Sequence, residues 1–112
     1  MEGPLIHIHF QERSWIARLA AKKLGAKNGL AIVFFRTIYL HGISKAQLIA
    51  NKPMLQHEIK HVLQYQEHGG FMFLMKYLFY SIKYGYYQNP FEIEARLAEK
   101  DDTVLQRVKL ED

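Results

Sequence analysis

The sequence contains no cysteine. That excludes a disulfide framework, a thiolate zinc site and a cysteine nucleophile. Its first residues, MEGPLIHIHF, lack the basic stretch and long apolar run of a secretory signal, so a cytoplasmic location is the default expectation. No repeat, linker or low-complexity segment interrupts the chain. The formal net charge is only +4, and the basic residues are dispersed rather than gathered into a stripe. A nucleic-acid partner is therefore not expected. What is present is 112 residues, 49% of them hydrophobic. That suffices for a single domain, 1–112, with its own core.

Hydrophobic periodicity gives the order of elements. Leu5 to Phe10 alternates, with Ile6, Ile8 and Phe10 on one side and His7 and His9 on the other, as in a half-buried strand. Ser14 can cap a helix to about Leu24, with Trp15, Ile16, Leu19, Ala20 and Leu24 as its apolar stripe and Gly25 at its end. Gly29 to Leu40 is rich in β-formers, as one strand or as two joined near Phe35-Arg36. Ser44 to Ala50 is a short helix or turn. Asn51-Lys52-Pro53 then opens a helix to about Glu67, stopped by Gly69-Gly70. Phe71 to Tyr87 is a second, strongly apolar helix, and Asn89-Pro90 opens a last one to about Lys100. Asp101 to Asp112 is helix or tail. The fold class is α+β: a short sheet with helices packed on one face.

One pentapeptide stands out. His57-Glu58-Ile59-Lys60-His61 matches H-E-x-x-H. A helix of about 3.6 residues per turn projects His57 and His61 from one face, one turn apart, where two imidazoles can share a zinc ion. Glu58 is too close in sequence to His57 to join that coordination easily. It is well placed as a general base toward a zinc-bound water. With six His and eight Glu in the chain, chance produces this pattern on the order of 2% of the time, so its context must decide.

A catalytic zinc takes a third protein ligand and keeps one position open. The metzincin continuation requires Gly and His three and six residues after His61, where this chain has Gln64 and Glu67. The helix opened by Asn89-Pro90 offers Glu92 and Glu94 instead. Glu92 falls at the third helical position, where it can close a capping box with Asn89. Glu94 falls on the stripe Phe91, Ala95, Leu97 and Ala98, where a carboxylate is costly unless paired or metal-bound. On burial grounds Glu94 is the favoured third ligand and Glu92 the alternative.

With H-E-x-x-H on one helix and a Glu followed by Ala on a later one, the chain resembles gluzincin-type zincin metallopeptidases, in particular the small single-domain minigluzincins. The resemblance spans about Thr37 to Ala98. It implies a zincin-like domain, Zn2+ held by His57, His61 and Glu94, Glu58 as general base, and a peptide or protein substrate lying along the strand Thr37-Ile38-Tyr39-Leu40. Two departures stand beside it. Lys60 occupies a position usually uncharged. Ala98 stands where larger relatives carry an Asp that orients a zinc-binding His, so Gln64 or a backbone carbonyl would have to serve the imidazoles.

Tyr84, Tyr86, Tyr87 and His68 are the candidate donors to a developing oxyanion. His7 and His9 read as a solvated strand face or, less simply, a second metal site, and His41 as loop. The segment Phe71 to Tyr87, broken by Lys76 and Lys83, reads either as a buried core helix or as an interfacial helix. The second option gives an alternative to catalysis: a zincin-fold interaction domain, with or without zinc, docking on a membrane surface or a larger protein through this segment.

Overall fold

The structure, a computed structural model, describes residues 4–25 and 29–111; residues 1–3, 26–28 and 112 and the Leu24 side chain lie outside the description. The elements are β1 (Ile6–Gln11), α1 (Trp15–Leu24), β2 (Leu30–Phe34), β3 (Thr37–His41), α2 (Lys45–Ala50), α3 (Lys52–His68), α4 (Gly70–Tyr84), α5 (Pro90–Ala98), a 3-10 turn (Asp102–Arg107) and β4 (Val108–Leu110). The fold is α+β. Among the described residues, no helix is long and apolar enough to cross a membrane.

The four strands lie in the order β2-β3-β1-β4. β1 runs parallel to both β3 and β4, and β2 runs antiparallel to β3. The run of β-formers from residue 29 to 40 is therefore two strands, joined at Phe35-Arg36. Phe35 takes a φ of +57°, a conformation a bulky side chain enters only when its surroundings hold it there. Its ring packs on Tyr65, with centroids 5.2 Å apart. It also lies so close to Gly70 that an added Cβ would meet its Cε1 at 2.2 Å. Gly70 thus lets α4 start directly against the hairpin.

β3 is interior to the sheet, paired on both sides. The expectation that Thr37 to Leu40 is an edge strand is corrected: the edge on that side of the sheet is β2. The C-terminal stretch is neither a helix alone nor a tail. Val104 and Val108 are buried, and β4 pairs with β1 in the register Ile6↔Val108.

One core holds the sheet and helices together. Ile8, Val33, Ile38 and Leu40 from the strands meet Leu55, Ile59, Val62 and Leu63 of α3, with Phe73, Phe91 and Ala98 from the following helices. α1 behaves otherwise. Among the described side chains of α1, Ala17 and Ala21 are buried and Ile16 and Ala20 half-buried, whereas Trp15 and Leu19 are exposed. The expected apolar stripe is corrected at Trp15 and Leu19, and its Leu24 side chain lies outside the described residues.

The expected Ser14 cap is in place, accepting from Ala17 N, and Asn51 at the start of α3 accepts from Met54 N. Ser44 caps α2 as well, accepting from Gln47 N.

Candidate metal centre

α3 crosses the core as a two-faced helix. Ile59, Val62 and Leu63 fill the core, while His57, Glu58, His61 and Gln64 occupy a polar face that is also largely buried. Burying that face is costly unless every group finds a partner. α5 supplies those partners. Asn89, fully buried, fixes where α5 begins. Its Oδ1 accepts from Phe91 N at 2.9 Å, and its Nδ2 donates to the Tyr77 carbonyl at 3.0 Å and to Ser81 Oγ at 2.9 Å.

From that start the buried positions of α5 are Phe91, Glu92, Ala95 and Ala98. Glu92 is only 2% exposed and sits between the two imidazoles. Its Oε1 lies 3.0 Å from His57 Nε2, and its Oε2 lies 3.1 Å from His61 Nε2. The Tyr77 hydroxyl donates to Oε2 as well. No capping box forms, because the Glu92 carboxylate is engaged across the helix interface.

Glu94, the carboxylate favoured from the sequence, is half-exposed and does not reach the imidazoles. It accepts from Gln64 Nε2 at 2.9 Å and lies 3.9 Å from Lys60 Nζ. The stripe argument is thus reversed. Leu97, counted as part of the buried stripe, is 72% exposed, and the carboxylate that goes inside is the one with three partners waiting. One ligand atom each from His57, His61 and Glu92 falls within 4.8 Å of the others.

The outward nitrogens of both rings are also held. His57 Nδ1 lies 2.8 Å from Glu99 Oε2, and His61 Nδ1 lies 2.9 Å from Gln64 Oε1. Gln64 Nε2 donates to the Phe91 carbonyl and to Glu94, both acceptors, so its Oε1 must be the atom facing His61. His61 therefore donates from Nδ1, and Nε2 is the nitrogen turned to Glu92. A carboxylate at Glu99 dictates the same for His57. Gln64 was foreseen in this role; Glu99, one helical turn beyond Ala95, was not.

Electrostatics follow from this packing. Burial disfavours the His57 cation, but Glu92, Glu58 and Glu99 more than offset it, and the pKa is raised to about 9. His61 is raised for the same reasons, with burial again opposing. Burial pushes Glu92 up, yet hydrogen bonds from His57, His61 and Tyr77 hold it well below the usual carboxylate range. Among the described residues, none donates a hydrogen bond to the Glu58 carboxylate. Burial raises its pKa to about 7, moderated by the two imidazolium charges. Without metal, the surrounding carboxylates thus favour protons on both Nε2 atoms. A divalent cation displacing those two protons would leave the net charge unchanged. Two oriented imidazoles and a carboxylate suit zinc, with room for a further ligand.

His57, Glu58, His61, Tyr77 and Glu92 line one cavity of about 220 Å³, whose other walls are β2 and apolar side chains of α4. Of the candidate oxyanion donors, Tyr86 reaches this cavity. Tyr87 is covered by the Arg96 guanidinium at 4.0 Å, and His68 packs on Phe73 and Phe91. Tyr77 was missed, although it lies four residues after buried Phe73 on the same helix face. His7 binds Glu111, 2.6 Å away, on an exposed strand face. No protein family matches the sequence, and neither a curated protein nor a solved structure matches it.

Proposed function

We propose that this chain is a zinc-dependent metallopeptidase whose metal is held by His57, His61 and Glu92. The observation that carries the reading is the convergence of those three ligand atoms within 4.8 Å, each imidazole oriented from behind, in a cavity that also contains Glu58. A zinc ion there would supply Lewis-acid polarisation of a peptide carbonyl and acidify a water.

The chain's own residues provide the rest. Glu58 has its pKa at about 7, so near neutral pH its carboxylate can take a proton and give it up again. Tyr77 and Tyr86 are held protonated, by burial and by the charges of Glu92 and Glu58, and so remain hydrogen-bond donors beside the site. β2 offers an open strand edge along the cavity, to which an extended peptide can add as a further strand. Apolar walls from Phe73, Leu74 and Leu78 exclude water and favour an apolar substrate side chain.

The test combines zinc analysis with cleavage of a peptide library. Zinc-loaded protein should cleave peptides, and Glu58→Gln should abolish cleavage while retaining zinc. Fully loaded protein that cleaves no member of the library would overturn the reading.

A further inference from the structure

α4 presents its apolar side chains outward. Phe73 is its sole fully buried residue, whereas Phe71 is 67% exposed and Ile82 is 87% exposed. At about 100° per residue, Phe71, Met75, Leu78, Phe79 and Ile82 fall within an arc of roughly 100°. That arc lies opposite the buried face of Phe73 and Tyr77. It extends about 17 Å along the helix. A contiguous exposed stripe of this kind marks an interaction surface.

Two observations specify what it meets. The first is charge. Lys76 and Lys83 lie on one flank of the arc, and between Glu67 and Glu92 the sequence has no acidic residue at all. Among the described residues, neither lysine pairs with a carboxylate; Lys83 instead rests over the rings of Phe79 and Tyr84. The second is the distribution of aromatics. Tyr84, Tyr86 and Tyr87 are exposed at the C-terminal end of the stripe. An apolar face flanked by lysines whose stems can snorkel, with amphipathic rings at one end, fits the headgroup boundary of a bilayer. A protein groove would instead supply acidic partners at defined points, and nothing in the stripe fixes such points. α4 is too short to span a bilayer, so a membrane would meet it only along its side.

We infer that α4 is an interfacial anchor that docks the protein on an anionic lipid bilayer. Phe71, Met75, Phe79 and Ile82 enter the acyl boundary, and Lys76 and Lys83 sit at the headgroups. Leu78 belongs both to this face and to the cavity lining, so docking brings the candidate site next to the lipid surface. Docking itself does not depend on the peptidase reading, and vesicle binding requires no catalysis.

The experiment is co-sedimentation of the full chain with phosphatidylcholine vesicles, with and without phosphatidylglycerol, at low and high salt, alongside gel filtration without lipid. Binding should favour the phosphatidylglycerol vesicles and weaken with salt. Lys76→Gln with Lys83→Gln should weaken it roughly 30-fold. Ile82→Asp with Phe79→Ser should abolish it while circular dichroism and zinc content stay as in the parent. Three results would overturn the inference. One is a monomer that binds neither vesicle. Another is binding indifferent to the lipid charge or to the Ile82 and Phe79 substitutions. The last is a lipid-independent dimer that Ile82→Asp splits, which would make the stripe a contact between two copies.

Discussion

α3 and α4 follow one another with only Gly69 between them, yet they handle polarity in opposite ways. α3 buries Glu58, His61 and Gln64 beside its leucines and isoleucine, whereas α4, far more apolar in sequence, buries only Phe73. Hydropathy alone would have reversed these assignments. Burial here follows partnership. A histidine or glutamate goes inside when α5 offers a complementary group, and a phenylalanine stays outside when no described residue covers it. Both helices depart from what folding alone would favour, and both departures coincide with a candidate function.

The comparison breaks most easily at Glu92. Glu92→Gln leaves two buried imidazoles without their anion. It should destabilise the metal-free protein by about 3–5 kcal/mol in urea unfolding. Gln64→Ala should come next. It leaves the buried His61 Nδ1 hydrogen without its acceptor, at a cost of about 1–3 kcal/mol for a buried group left unsatisfied. Glu99→Gln tests orientation without touching the cavity and should lower zinc affinity about 10–100-fold, measured by competition with a chelator. On α4, by contrast, Ile82→Asn should alter stability by no more than about 0.5 kcal/mol, because its side chain is 87% exposed.

Acidity sharpens the same contrast. His57 has its folded pKa raised from 6.5 to about 9, so the metal-free folded chain binds more protons than the unfolded one. The stability this contributes is complete below about pH 6.5 and is lost as pH rises through about 9. Glu58, raised from 4.5 to about 7, acts in the same direction over a lower window. Glu92, held down, acts oppositely, and its contribution is lost as pH falls below the usual carboxylate range. Metal-free protein should therefore be most stable in mildly acidic solution. Urea midpoints collected across pH would show this, and a stability that climbs steadily from pH 6 to 9 would contradict it.

Much of this was legible in the residues. The H-E-x-x-H helix, the Ser14, Asn51 and Asn89 caps, the alternation of β1 and the apolar length of α4 are local patterns, and local patterns fix local structure. The misses share one cause. Ala95 and Ala98 fit a stripe through Glu92 as well as one through Glu94. Choosing between them needed His57 and His61, more than thirty residues away, which the periodicity of α5 cannot register. The open edge at β2 rather than β3 follows from β1 pairing with β3, a nonlocal event. Val108 to Leu110 is too short a run to declare itself a strand before β1 is there to receive it. On α1, counting large apolar residues pointed to Trp15 and Leu19, but the close contact is made by Ala17 and Ala21.

The central claim is that His57, His61 and Glu92 hold a metal ion while Glu94 only braces Gln64. The most direct test is zinc content, by elemental analysis after loading and removal of free metal, of the parent, Glu92→Gln and Glu94→Gln. Stoichiometric zinc is expected in the parent and in Glu94→Gln, and its loss in Glu92→Gln. Zinc kept by Glu92→Gln and lost by Glu94→Gln, or absent from the parent, would contradict it.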